Sequence, residues 1–194
     1  MAARQGRAGE AGGRPASALA SAQVRGAEVS SESGDPFPRA GHDHALCVRD
    51  ALDRAAAVCA QRGVRLTELR RRVLELVLDR HAPVGAYDIL ERLSAERGRV
   101  APPTVYRALD FLVSQGLVHR VDSRNAFVGC VRAEGPHRAC FLLCIECGTV
   151  AELVDPELEA AVADLARRAG FEITRQVVEI EGRCAACGAR ETVP

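Results

Sequence analysis

Two matching cysteine turns, Cys144-Ile-Glu-Cys147-Gly148 and Cys184-Ala-Ala-Cys187-Gly188, constrain this chain more than any other feature. A two-residue gap in a tight turn lets both thiolates reach one ion. Glycine after the second cysteine accepts positive φ and frees backbone N–H groups to point at sulfur. Two such knuckles supply four thiolates, a closed tetrahedral zinc site with no position left open for catalysis. The 36 residues between the pairs leave room for a strand, a helix and a second strand. A redox role for either pair is the competing reading, and the match between the two pairs favours metal.

Eight cysteines in a chain of 194 residues fit metal ligation in the cytoplasm better than a disulfide framework. No apolar run approaches the roughly 18–20 residues that a membrane span needs. The first residues carry Arg4, Arg7 and Arg14 without an apolar stretch behind them, so a secretory signal is not expected. Acids at Glu10, Glu28, Glu32 and Asp35 argue against an organelle transit peptide. Residues 1–43 are rich in Gly, Ala, Ser, Arg and Pro without apolar periodicity, and read as a disordered tail. The His42-Asp43-His44 group at its edge reads as ordinary polar surface rather than as a metal site.

The zero net charge hides an asymmetry. Residues 44–121 carry 13 arginines against 9 acids, and residues 122–194 carry 8 against 12. A basic half joined to an acidic half suggests that only the first meets a polyanion, although chance scatter of surface charge gives a similar pattern.

From residue 45 the apolar spacing is helical. Leu46, Leu52, Ala55, Ala56 and Cys59 line one side of a helix ending near Gly63. A second helix is expected from an N-cap at Thr67 to a stop before Pro83, and a third over 86–97 with Gly98 as its stop. Pro102-Pro103 opens a fourth, on which Val105, Leu109 and Leu112 form the buried stripe and Thr104, Tyr106, Arg107 and Asp110 face outward. Two short strands, 117–121 and 126–130, flank the turn Asp122-Ser123-Arg124-Asn125. Helices followed by a hairpin give the order of a winged helix-turn-helix, assigned to 44–131. Residues 132–194 read as a small α/β domain: strands at 139–144 and 149–153, a helix at 156–169, and a strand over 171–182. The fold class is therefore α+β.

If Val121 pairs with Ala126, His119 pairs with Val128, and Cys130 becomes its diagonal neighbour on the same face. His137 lies seven residues beyond Cys130, and Glu152 five beyond Cys147. One sulfur, two imidazoles and a carboxylate suit tetrahedral zinc. Each residue also has an ordinary reading: a packed strand histidine, a small core cysteine, a solvated acid.

These segments resemble the ferric uptake regulator superfamily, and its zinc-uptake-regulator branch in particular. The resemblance covers about 44–194. It is carried by Cys59-Ala-Gln-Arg-Gly-Val-Arg-Leu-Thr67, Ala101-Pro-Pro-Thr-Val-Tyr-Arg-Ala-Leu-Asp-Phe-Leu112, Gly116-Leu-Val-His-Arg-Val121 and the two knuckles. It implies a homodimer that binds double-stranded operator DNA when zinc-loaded and represses zinc-uptake genes, with no membrane and no small organic substrate involved. It also implies two zinc ions per chain. A structural ion is held by Cys144, Cys147, Cys184 and Cys187, and a regulatory one by His119, Cys130, His137 and Glu152. The His-His-Asp-His run of many iron-sensing relatives is absent, and five histidines leave few candidates for a third, histidine-rich site. Cys140, Cys47 and Cys59 read as packing residues.

In a winged helix the recognition helix enters the major groove, which nominates Thr104, Tyr106 and Arg107 for contact with DNA. Arg107 is suited to bridging O6 and N7 of guanine. Arg65 and Arg120 are candidates for neutralising phosphates. A branch sensing iron, manganese or peroxide is the nearest alternative, and Cys130 disfavours it because thiolate favours zinc. A zinc-storage protein would leave Thr104, Tyr106 and Arg107 unexplained. A hydrolytic enzyme would need an open coordination position that neither four-ligand set provides.

Overall fold

The computed structural model describes residues 36–38, 42–130, 133 and 138–189. Most of the tail expected over 1–43 lies outside the described residues. Helix α1 (His44–Gln61) starts where the Asp43 carboxylate accepts the backbone N–H of Leu46, an N-cap within the span read as tail. It buries Leu52, Ala55, Val58 and Cys59 against α2 (Glu68–Leu78), which is capped by the Thr67 hydroxyl as its sequence predicts. Helices α3 (Ala86–Arg97) and α4 (Pro102–Ser114) complete the helical layer. Gly98 leaves α3 at φ 79°, a conformation that glycine adopts without steric cost.

The buried stripe of α4 is Val105, Ala108, Leu109 and Leu112, set against Val73, Leu74, Leu76 and Val77 of α2. Each fully buried aliphatic side chain is worth about 1.5–3 kcal/mol, so this interface holds the helix rigidly enough to present its opposite face. A three-stranded sheet follows in the order β1-β3-β2, formed by β1 (Val84–Gly85), β2 (Val118–Val121) and β3 (Ala126–Gly129). The hairpin register is the expected one: Val121 pairs with Ala126 and His119 with Val128. A 3-10 turn over Asp122–Arg124 and Asn125 at φ 45° reverse the chain. The two-residue strand β1 was not anticipated. It is too short to show alternation and exists only through its pairing with β3.

The second sheet has the order β5-β4-β6. β4 (Cys140–Cys144) runs antiparallel to β5 (Val150–Leu153) and parallel to β6 (Val178–Gly182). A parallel return requires a crossover, supplied by α5 (Pro156–Arg168), whose Asp155 cap accepts from Glu157 and Leu158. The strand expected over 171–182 is regular only from Val178. Phe171 and Val177, in the irregular part of that stretch, are exposed at 69% and 38%. α5 likewise buries no residue and leaves Leu165 62% exposed. A short helix α6 (Ala185–Gly188) carries the second knuckle.

Candidate metal centres and nucleic-acid interface

The knuckles meet because β4 and β6 are parallel neighbours: Cys144 ends β4 opposite Gly182, two residues before Cys184. The ligand sulfurs of Cys144, Cys147, Cys184 and Cys187 all lie within 4.8 Å of one another. Cys147 Sγ and Cys184 Sγ are 3.8 Å apart, and Zn–S bonds of about 2.3 Å in a tetrahedron place sulfurs about 3.8 Å apart. The donor set and its spacing therefore fit zinc. Backbone N–H groups of Cys147 and Cys184 directed at the Cys144 sulfur lower that thiol to about 6. Cys187 is pushed up to about 12 by hydrogen bonding with Cys184, by burial and by the neighbouring sulfurs. Four thiolates held this close together need a cation to offset their charge. Gly148 adopts φ 72°, whereas Gly188 is helical, so the glycine requirement applies only to the first knuckle.

A second cluster joins the two sheets. His119 on β2, Cys130 just after β3 and Glu152 on β5 bring their ligand atoms within 4.8 Å of one another. His119 Nε2 is 3.2 Å from Glu152 Oε1, and Cys130 Sγ is 3.8 Å from the same oxygen. The Glu152 side chain is only 3% exposed, far from the solvated acid of its ordinary reading. Phe141 lies 5.3 Å from the His119 ring and covers one side. A buried carboxylate facing imidazole and thiol is costly unless a cation or proton compensates it, so this donor set also fits zinc. His137 lies outside the described residues.

Further contacts cross the same seam. The backbone amides of Asp122 and Ser123 donate to the Glu179 carboxylate at 2.6 and 3.0 Å. Arg124 pairs with Glu181 and Arg175 with Asp122. Burial pushes the Glu179 carboxyl up, but hydrogen bonds from Ser123 and Asp122, together with Arg175, outweigh this and hold it below its usual value. The Val150 amide donates to the His81 carbonyl at 2.9 Å.

On α4, Tyr106 and Arg107 are exposed and Thr104 is half-buried, all three off the buried stripe. Arg65 is exposed after α1. Arg120 is already engaged: it donates to Asn125 Oδ1 at 2.9 Å and sits 3.3 Å from Asp122. It braces the hairpin turn, so a phosphate would compete with those contacts. Tyr87 escaped the sequence reading. It is 68% exposed in the first turn of α3 and lines one groove with Tyr106, Arg120 and Asn125. Its place off the Ala86, Ile89, Leu93 stripe was the available signal.

The ferric uptake regulator family model matches residues 61–181. The chain is 41% identical over 140 residues to the zinc uptake regulation protein of Escherichia coli (strain K12), covering 72% of this chain and 82% of that protein. It is 30% identical over 128 residues to the zinc uptake regulation protein of Mycobacterium tuberculosis (strain ATCC 25618 / H37Rv), covering 64% and 95%. Among solved structures, a zinc uptake regulator complexed with zinc and DNA superposes with a TM-score of 0.71 at 40% identity, covering 75% of this chain and 98% of that one. This winged-helix and α/β chain belongs to the ferric uptake regulator family.

Proposed function

We propose that this protein is a zinc-responsive transcriptional repressor, acting in the cytoplasm, that binds operator DNA as a homodimer when zinc-loaded and controls zinc-uptake genes. The observation that carries the reading is the convergence of His119, Cys130 and Glu152 from both sides of the seam between the two sheets. One ion there, completed by His137, fixes the wing relative to the second sheet. In a dimer it thereby fixes the spacing of two recognition helices, which must match half-sites on successive turns of DNA.

Residues 44–131 form the DNA-binding part and 132–194 the dimerisation part in this reading. The exposed apolar side chains of Leu165, Phe171, Val177 and Ile180 suit contact with a second copy of the chain. The four-cysteine zinc is structural, because four protein ligands close its coordination sphere. The second zinc is regulatory, because its ligands come from elements that move apart if the seam opens. Thr104, Tyr106 and Arg107 read base edges, while Arg65 and Arg120 meet phosphates, Arg120 by exchanging its turn contacts.

Selection from a random pool of duplex DNA tests the reading. The zinc-loaded protein should enrich a two-fold-symmetric sequence, and the same protein in chelator should enrich none. Failure to enrich any sequence with zinc would leave zinc storage as the better account.

A further inference from the structure

Three of the five histidines in the chain meet where no metal site was expected. His42 and His44 flank the Asp43 cap of α1, Cys47 lies one turn further along the same helix face, and His81 follows α2. Their ligand atoms all lie within 4.8 Å of one another. The three rings are 4.8–5.6 Å apart between centroids, and His42 Nε2 is 2.9 Å from His81 Nε2. Imidazole nitrogens sharing a tetrahedral zinc at 2.0–2.1 Å stand about 3.3 Å apart, so His42 and His81 need part by only a few tenths of an ångström to share an ion.

We propose that His42, His44, Cys47 and His81 form a third cation site, with a donor set of three nitrogens and one sulfur suited to zinc or a similar divalent ion. His44 is oriented for ligation. Its Nε2 lies 2.8 Å from the Asp79 carbonyl and donates to it, leaving Nδ1 as the acceptor. That Nδ1 is buried and has no hydrogen-bond partner among the described residues. A backbone carbonyl fixing the tautomer of a ligating histidine is the usual support for such a ligand. Cys47 and His81 also line a cavity of about 70 Å³ that Cys130 and Glu152 line as well. The carbonyl of His81 bonds Val150 on β5. An ion here pins the start of α1 to the segment on which the second sheet leans.

The test is a Co(II) titration of the full chain, purified with its four-cysteine zinc in place and followed by the visible absorption of tetrahedral cobalt. His42→Ala/His44→Ala should bind one equivalent fewer than the unsubstituted protein. The same difference should appear in a Cys130→Ser background, which makes the result independent of the regulatory site. Neither histidine belongs to the buried core, so the double variant keeps its fold, and His81→Ala gives a second removal from the other side. Cys47→Ser should lower the sulfur-to-cobalt charge-transfer band. Equal numbers of cobalt equivalents in the double variant and its parent, in both backgrounds, would overturn the site and mark the cluster as a hydrogen-bonded histidine group only.

Discussion

His119 Nε2 lies 3.2 Å from Glu152 Oε1, although one residue belongs to the wing hairpin and the other to the second sheet. Each strand owes its place to its own sheet, so the pair meets only when the two sheets adopt one relative arrangement. A cation drawn to both groups therefore stabilises that arrangement. An ion that binds it about 100-fold better than the open form supplies ~2.7 kcal/mol of coupling.

The four-cysteine centre should behave differently. Its ligands join the ends of β4 and α6, so removing one breaks the closure of the second sheet. Cys187→Ala is expected to lose the tightly held zinc and melt the second sheet, because structural zinc contributes about 10–16 kcal/mol of apparent binding energy at neutral pH. Zinc content and thermal denaturation of the purified variant check this. Retention of both zinc and parental stability would contradict it.

Acid should loosen the contact between the wing and β6. The Glu179 carboxyl is held below its ordinary value of 4.5, chiefly because burial is outweighed by the bonds from Ser123 and Asp122. A depressed folded-state value means that the contribution is present above the unfolded value and is lost as pH falls through the folded one. Hydrogen exchange at the Asp122 and Ser123 amides should thus accelerate in acid relative to the intrinsic rate. Glu179→Gln should show faster exchange already at neutral pH and little further change.

Arginines on the basic half should divide by role. Arg107→Ala is expected to weaken binding to the selected operator by about 1–3 kcal/mol and to relax preference at one base position. Arg65→Ala should weaken all duplexes alike and reduce the salt dependence by about one unit of slope. Binding isotherms at several salt concentrations distinguish the two.

Local rules made most of the elements legible. Thr67 caps α2 and Pro102 opens α4, and the hairpin register followed from alternation and a turn that Asn125 closes at positive φ. Tertiary geometry set the rest. Phe171 and Val177 lie within the stretch expected as strand, yet both are exposed and the regular strand begins only at Val178. The four-cysteine set was visible because spacing within each knuckle is local. The cluster of His42, His44, Cys47 and His81 was not, since it depends on the start of α1 meeting the end of α2 across 39 residues.

The most direct test of the central claim is operator binding as a function of free zinc for the Cys130→Ser variant, using the duplex recovered by selection. The variant should remain a folded dimer with its four-cysteine zinc, and its DNA binding should stay weak and flat as zinc rises. A zinc response matching that of the unsubstituted protein would contradict the assignment of the switch to the ion shared by His119, Cys130 and Glu152.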